Sequence, residues 1–171
     1  QAEAIPVALK GQDIIGQAQT GTGKTAAFGL PMLNNITNRK AISSIILAPT
    51  RELAIQVHDE LVKLAKYEKL NVVAVYGGAP IHNQIRDIKR ANIVVGTPGR
   101  VLDHIRRGTL PLDSVEFLVL DEADEMLNMG FIDDMEEIMK SIPEERQTLL
   151  FSATMPAQIK KLTKKYLKED S

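Results

Sequence analysis

The sequence contains no cysteine. The chain therefore has no disulfide framework, no thiolate ligands for zinc or an iron–sulfur cluster, and no thiol nucleophile. Long apolar runs are missing too: the longest reach about six residues, whereas a transmembrane helix needs roughly 20. We therefore expect no membrane segment. The composition is compatible with a reducing intracellular compartment, and we expect the cytoplasm, or the nucleus if the source is eukaryotic.

An excess of charge of one sign is also missing. Lysine and arginine total 21 and aspartate and glutamate total 22, which leaves a formal net charge of -1. So small a net charge produces no global attraction for nucleic acid, and any polyanion would have to be bound by local groups. With 44% apolar and 25% charged residues, the chain is typical of globular proteins rather than disordered or fibrous ones.

Six short apolar runs rich in β-branched residues predict the strands of a sheet. The runs are residues 13–16, 44–48, 72–76, 92–95, 117–120 and 148–151. Their apolar residues are continuous rather than alternating, which is typical of strands buried on both faces. Segments with helical spacing lie between them, for example from Glu52 to Tyr67. The alternation predicts one α/β domain over residues 1–171, with a mostly parallel sheet flanked by helices on both faces.

A glycine-rich segment follows the first predicted strand and leads into a predicted helix. Its context of strand, loop and helix is that of a P-loop. Gly21 and Gly23 would let successive N–H groups point at an anion. Lys24 would contact the β- and γ-phosphates, and the Thr25 hydroxyl would be a ligand for Mg²⁺. The predicted nucleotide-binding residues here are Ala18, which stands in place of the usual first glycine, Gln19, Thr20, Gly21, Thr22, Gly23, Lys24 and Thr25.

Two acidic residues directly follow the run at 117–120. Asp121 would hold Mg²⁺, partly through water, and Glu122 would polarise the water that attacks the γ-phosphate. Adjacent acids are also ordinary at a helix N-terminus, where the helix dipole favours them. The P-loop upstream favours the catalytic interpretation, with Lys24, Asp121 and Glu122 as catalytic residues.

Five further motifs follow the predicted strands in a fixed order. They are Pro49-Thr-Arg-Glu-Leu-Ala54, Gly77-Gly78, Thr97-Pro-Gly-Arg100, Asp121-Glu-Ala-Asp124 and Ser152-Ala-Thr154. Together with the P-loop, this set resembles the signature motifs of the DEAD-box family of ATP-dependent RNA helicases, over residues 1 to 154. The resemblance implies a RecA-like P-loop domain that binds ATP and Mg²⁺ and grips the sugar-phosphate backbone of RNA without reading its sequence.

The resemblance also implies roles for individual residues. The positions that match RNA contacts are Pro49, Thr50, Arg51, Gly77, Gly78, Thr97, Gly99 and Arg100. Gln1 matches the glutamine that reads adenine, and Asp124, Ser152 and Thr154 match residues that couple nucleotide state to strand separation. Independently of the family, Thr50 and Thr97 are expected to be helix N-caps, beside which free N–H groups could receive phosphates. The alternative to RNA binding is a purely structural role, in which these residues form helix caps and turns and Arg51 and Arg100 are ordinary surface arginines.

The remaining chemistry-bearing side chains are interpreted structurally. The three histidines share no metal-ligand spacing. Tyr67 and Tyr76 are isolated, so no aromatic ladder for base stacking is predicted. Four methionines, Met126, Met129, Met135 and Met139, recur at helical spacing and are expected in the core.

Three functions remain open on the sequence alone. The chain can be the ATP-binding domain of an RNA helicase, part of a DNA-translocating P-loop motor, or an RNA clamp that uses ATP as a switch. The chain begins at Gln1 and shows no second set of motifs after Thr154. We therefore expect the first domain of a longer protein, nearly inactive without its second RecA-like domain, because an arginine supplied to such a site is worth about 10³–10⁵ in rate.

Overall fold

The computed structural model of the protein describes residues 14–16 and 22–167. Six strands are present there: β1 (Ile14–Gly16), β2 (Ser44–Leu47), β3 (Val72–Val75), β4 (Ile93–Gly96), β5 (Phe117–Leu120) and β6 (Gln147–Phe151). Seven helices lie between and after them: α1 (Thr22–Asn34), α2 (Arg51–Leu64), α3 (Ile81–Ile88), α4 (Pro98–Arg107), α5 (Ala123–Asn128), α6 (Ile132–Ser141) and α7 (Ala157–Tyr166). Each predicted apolar run contains one of these strands to within one residue.

The strands form a single sheet in the order β1-β6-β5-β2-β4-β3, and every neighbouring pair is parallel. The carboxyl ends of all six strands therefore lie along one edge, where open α/β sheets bind ligands. The strand order also divides this edge. Strands β1, β6 and β5 form one half, and strands β2, β4 and β3 form the other.

Main-chain hydrogen bonds extend the sheet just beyond the strand ends on this edge. Their donor and acceptor pairs are Asp121 N–H to the Leu47 carbonyl at 2.9 Å, Ala48 N–H to the Gly96 carbonyl at 3.0 Å, and Thr97 N–H to the Val75 carbonyl at 3.2 Å. A continuous ladder thus joins the end of β5 through β2 and β4 to the end of β3.

The core has one apolar layer on each face of the sheet. Along β2, Ile45 and Leu47 belong to one layer and Ile46 to the other, as the alternation of side chains in a strand requires. Helices α1 and α2 cover one face, and helices α3 to α7 cover the other. The predicted α/β fold with helices on both faces is confirmed. Among the helices of residues 22–167, none combines the length and apolarity needed to cross a bilayer.

Three details differ from the prediction. Strand β3 is mostly half-buried rather than buried, because it is the last strand of the sheet and pairs only with β4. Helix α2 ends at Leu64 rather than near Tyr67, in a turn where Lys69 has a positive φ of 57°. Met126, Met135 and Met139 are in the core, but Met129 is 49% exposed, because α5 ends at Asn128 and Met129, its C-cap residue, lies outside the helical repeat.

Helices α1 and α2 approach closely at Gly29. A Cβ at this position would lie 2.9 Å from Leu64 Cδ1 and 3.0 Å from Leu61 Cδ2. Such distances are shorter than normal carbon contacts, so glycine allows the two helices to pack against each other. This packing brings the first turn of α1, which carries Lys24 and Thr25, beside the middle of α2.

Candidate active site at the carboxyl edge of the sheet

The predicted motifs all follow strands whose carboxyl ends share one edge. The half formed by β1, β6 and β5 carries the start of α1, the Ser152-Ala-Thr154 segment and the Asp121-Glu-Ala-Asp124 segment. The half formed by β2, β4 and β3 carries the predicted RNA contacts. Gln1 and the loop residues Ala18, Gln19, Thr20 and Gly21 lie outside the described residues, and Thr22 and Gly23 are described only as the backbone that begins α1.

Lys24 and Asp121 form a buried ion pair at the centre of the first half. The Lys24 Nζ atom lies 2.5 Å from Asp121 Oδ1, with the side chains 4% and 0% exposed. Burial raises the pKa of Asp121, and the ammonium group of Lys24 opposes that shift. The second carboxylate oxygen, Oδ2, is buried and has no hydrogen-bond partner within the part of the chain that is described. An unpaired buried carboxylate oxygen is costly, and it is the kind of ligand that a hydrated Mg²⁺ takes.

Thr25 contacts a residue that the motifs did not indicate. Its buried hydroxyl donates a hydrogen bond to Oε1 of Glu60 on α2. Since the hydroxyl has one proton, its lone pairs stay free for another ligand. The sequence does carry a signal for Glu60: this half-buried residue borders the buried stripe of α2 that contains Val57 and Leu61, where a carboxylate needs a partner.

Glu122 has an unusual backbone. Its φ and ψ are both 55°, in the left-handed region, which costs a residue other than glycine on the order of 1–3 kcal/mol. The conformation places Glu122 at the turn between β5 and α5. Burial raises the pKa of Glu122, and the adjacent carboxylate of Asp121 raises it further. A half-buried carboxylate with a raised pKa is suited to accept a proton near neutral pH.

Asp124 links the end of β5 to the end of β6. Its Oδ2 atom accepts hydrogen bonds from the Thr154 N–H at 3.0 Å and the Thr154 hydroxyl at 2.8 Å. Its own N–H donates to the Ser152 hydroxyl oxygen at 3.1 Å. Partial burial acts to raise the pKa of Asp124, but several hydrogen bonds, foremost those from Thr154, together outweigh it and hold the pKa below its ordinary value. These three residues are thus in direct contact.

Helices α2 and α4 begin at the second half of the edge. The Thr50 hydroxyl caps α2 by accepting the Leu53 N–H at 3.1 Å, which confirms that cap. Thr97 is the N-cap residue of α4, as predicted, but its side chain makes no capping hydrogen bond. Pro98 follows Thr97 and has no N–H to be satisfied, which reduces the need for a cap.

The turn between β3 and α3 lies between the two predicted RNA-binding arginines. The exposed Arg51 guanidinium is 5.0 Å from the ring centroid of Tyr76, a cation–π distance. Arg100 Nη1 donates to the Ala79 carbonyl at 3.1 Å. Gly78 has a φ of 84°, and a Cβ there would lie 3.8 Å from Arg51 Nη1. Tyr76 is therefore not isolated, and the prediction missed it although it directly precedes the glycine pair.

Comparisons with known proteins agree with this arrangement. The family profile described as DEAD/DEAH box helicase matches residues 1–162. The chain is 58% identical to the DEAD-box ATP-dependent RNA helicase CshA of Bacillus cereus over 171 residues, which is 99% of this chain and 33% of that protein. It is 62% identical to the ATP-dependent RNA helicase CshA of Listeria monocytogenes over 169 residues, 98% of this chain and 32% of that protein. The chain thus spans about a third of the length of these curated relatives.

Solved structures show the same fold. A crystal structure of a DEAD box protein from the hyperthermophile Methanococcus jannaschii is 54% identical, with a TM-score of 0.87, and the match covers 91% of this chain and 43% of that one. A structure of a hypothetical ATP-dependent RNA helicase from Sulfolobus tokodaii is 40% identical, with a TM-score of 0.87, over 98% of this chain and 50% of that one. The motifs, the parallel sheet and the matched profile agree: the chain belongs to the DEAD/DEAH box helicase family.

Proposed function

We propose that this chain is the ATP-binding RecA-like domain of a longer ATP-dependent RNA helicase, residues 1–171 forming the first of two such domains. The observation that carries the proposal is the buried pair of Lys24 and Asp121, with Asp121 Oδ2 unpartnered among the described residues and Glu122 adjacent. A buried cation, a free carboxylate oxygen and a second carboxylate with a raised pKa are the groups that phosphoryl transfer to water needs. The relatives' greater length supports a second domain outside this chain.

Nucleotide binding would exchange the partners of the buried pair. Lys24 would turn from Asp121 to the β- and γ-phosphates. Asp121 and Thr25 would hold Mg²⁺, with water completing the ligand set at Asp121. Bound there, Mg²⁺ would neutralise phosphate charge and orient the γ-phosphate. The loop residues 18–21 would supply N–H groups to the phosphates, and Gln1 would read adenine; these two roles are predictions on residues that the structure does not describe.

Glu122 would orient the attacking water and accept its proton. The raised pKa of Glu122 brings its proton affinity closer to that needed near neutral pH. The new bond joins the water oxygen to the γ-phosphorus as the bond to the β-phosphate oxygen breaks, which yields ADP and inorganic phosphate. The left-handed backbone at Glu122 forms the turn between β5 and α5, at the carboxyl edge of the sheet where the phosphates would lie.

RNA would bind along the half of the edge formed by β2, β4 and β3. This proposal is supported by three features found together there: the exposed Arg51, the N-termini of α2 and α4, and the glycine turn at 77–78. Helix N-termini and arginine side chains are groups that bind phosphates without reading bases. Pro49, Thr50, Gly77, Thr97, Gly99 and Arg100 complete the proposed contact set.

Asp124, Ser152 and Thr154 would couple the nucleotide state to the separation of RNA strands. Their hydrogen bonds join the end of β5 to the end of β6, and β5 also borders β2 of the RNA-binding half. A change at the γ-phosphate that moves β5 would therefore also displace its two neighbours, β6 and β2. We place the proposed reaction in the cytoplasm, where ATP and RNA are both available.

Steady-state ATPase assays on the full-length parent and on residues 1–171 test the proposal. The parent should hydrolyse ATP faster with single-stranded RNA, and residues 1–171 should be nearly silent. RNA and DNA of one sequence separate an RNA helicase from a DNA motor, because the backbones differ at the 2′-hydroxyl. The Glu122→Gln variant of the full-length parent should bind ATP but not hydrolyse it. Equal and RNA-independent rates in both proteins would overturn the proposal.

A further inference from the structure

One buried glutamine joins three elements behind the proposed RNA-binding edge. Gln84 lies on α3 and is 5% exposed. Its Nε2 atom donates to the Tyr76 carbonyl at 2.9 Å. Its Oε1 atom accepts from Arg100 Nη1 at 3.0 Å and lies 3.0 Å from His104 Nε2. Gln84 was not among the residues that the sequence motifs indicated.

The hydrogen-bond directions around Gln84 follow from the chemistry of its amide. An amide oxygen only accepts hydrogen bonds, so His104 Nε2 must carry a proton and donate to it. Burial lowers the pKa of His104, and the charge of Arg100 lowers it further, so the neutral ring has its proton on Nε2. The Nδ1 atom of His104 is then an acceptor 2.8 Å from the Thr109 hydroxyl, whose one proton is shared with the His104 carbonyl oxygen 3.1 Å away. Each side chain in this buried network has a partner, which gives it one defined arrangement.

The network holds both ends of the glycine turn. The Tyr76 carbonyl, bound by Gln84, comes directly before the glycine pair. The Ala79 carbonyl, bound by Arg100, comes directly after it. Gln84 and Arg100 also bind each other. The turn and Arg100 are therefore held in a fixed relative position by a side chain that lies beneath the surface.

We infer that Gln84 is a positioning residue for RNA binding, which sets the geometry of Gly77, Gly78 and Arg100 without contacting RNA itself. The inference rests on the proposed function. Gln84 is neutral and buried, so it offers no charge to a phosphate. Its contribution to affinity would come from holding the contact groups in place before RNA arrives, which lowers the ordering cost of binding.

The test compares variants of the full-length parent in binding a fluorescent single-stranded RNA at several salt concentrations. Gln84→Met keeps the length of the side chain and removes its polar atoms. We expect it to weaken RNA binding about tenfold, with unchanged nucleotide affinity. The slope of affinity against salt should also be unchanged, because no charge is removed. Arg51→Ala should instead flatten that slope by about one counterion. The matched control is Gln56→Met, on the exposed face of α2.

A double-mutant cycle with Arg100→Ala separates positioning from a general structural effect. If Gln84 acts through Arg100 and the turn, the variant with both substitutions should bind RNA no more weakly than the single variant that has the lower RNA affinity. Fully additive losses, or wild-type RNA affinity in Gln84→Met, would overturn the inference. Should Gln84→Met fail to fold, Gln84→Asn keeps the amide but shortens its reach, and wild-type RNA affinity in that variant would overturn the inference equally.

The two proposals fail in different ways. If the wild-type parent binds no RNA, the proposed function is wrong and the role of Gln84 falls with it. If the wild-type parent binds RNA and Arg51→Ala weakens it, while the Gln84 variants bind normally, only the inference about Gln84 is wrong.

Discussion

The ammonium group of Lys24 is 2.5 Å from the carboxylate of Asp121, and both side chains are almost fully buried. The two groups that the proposed mechanism assigns to phosphate and to Mg²⁺ therefore neutralise each other in this structure. Taking two charges out of water is expensive, and their attraction offsets that cost only while both are present. The arrival of a phosphate and a cation together would preserve this balance, whereas either one alone would leave a buried charge without its partner.

Removing one member of this pair should destabilise the fold as well as the site. We expect Lys24→Met to lower the free energy of unfolding by about 3 kcal/mol and to weaken nucleotide binding. The double variant Lys24→Met with Asp121→Asn should regain most of the stability but not the binding, because no uncompensated charge remains. Urea denaturation and nucleotide titration measure the two effects. A double variant less stable than Lys24→Met would contradict the assignment.

The left-handed backbone at Glu122 should lower the free energy of unfolding, at a position whose carboxylate is needed for catalysis. Glu122→Gly should raise the free energy of unfolding by about 1 kcal/mol, because glycine adopts a positive φ without strain, and should abolish ATP hydrolysis by the full-length parent. The matched control is Lys69→Gly, at a φ of 57° in a turn away from the site. Lys69→Gly should raise the free energy of unfolding by a similar amount and leave the rate of ATP hydrolysis unchanged. Hydrolysis at the wild-type rate by Glu122→Gly would exclude Glu122 as the base.

The hydrogen bond from Thr25 to Glu60 should tune the affinity for Mg²⁺. Without Glu60 to accept its proton, the hydroxyl would lose the orientation that leaves its lone pairs free. We expect Glu60→Ala to raise the Mg²⁺ concentration needed for half-maximal nucleotide binding by about tenfold, with little change in binding measured in EDTA. Asp59→Asn, at a neighbouring side chain that is 64% exposed, should behave as wild type. Equal losses with and without Mg²⁺ would point to a packing role for Glu60.

The buried His104 should make the fold sensitive to mild acid. Its pKa is lowered from 6.5 by burial and by Arg100, so the unfolded chain takes up the proton first as the pH falls. The free energy of unfolding should therefore decrease as the pH is lowered through 6.5, by at most about 1.4 kcal/mol per pH unit from this group. His104→Gln should flatten that decrease, and His82→Gln, at an exposed position, should not. Parallel profiles for all three proteins would contradict the prediction.

The two glycines of the β3–α3 turn should respond differently to alanine. Gly78 has a φ of 84°, so Gly78→Ala should lower the free energy of unfolding by about 1 kcal/mol. A Cβ at Gly77 meets no atom within 4 Å, so Gly77→Ala should fold normally. It should nevertheless weaken RNA binding if the backbone approaches RNA closely there. Thermal unfolding and RNA titration distinguish the two effects, and normal RNA affinity in Gly77→Ala would argue against direct contact.

Local sequence patterns were sufficient to predict the strands and the edge of the sheet that carries the motifs. The run at 117–120, followed by two acids, predicted both a buried strand and a site at its end, because a strand and its terminal residues are neighbours in sequence. Strand order was not predictable, since central strands such as β2 and β5 have the same apolar pattern. Glu60 and Gln84 were missed because their partners, Thr25 and Arg100, are brought to them only by the packing of separate helices.

The ladder that runs from Asp121 through Leu47, Ala48 and Gly96 to Thr97 and Val75 is made of main-chain atoms alone. Side-chain replacement leaves such a path in place, because every residue except proline has the same N–H and carbonyl groups. This path between the phosphate site and the RNA-binding edge would thus be carried by the backbone, beside the side-chain contacts of Asp124, Ser152 and Thr154. Mutations can weaken the contacts at either end of this path, but only a proline at a donating position or a distortion of the sheet would interrupt it.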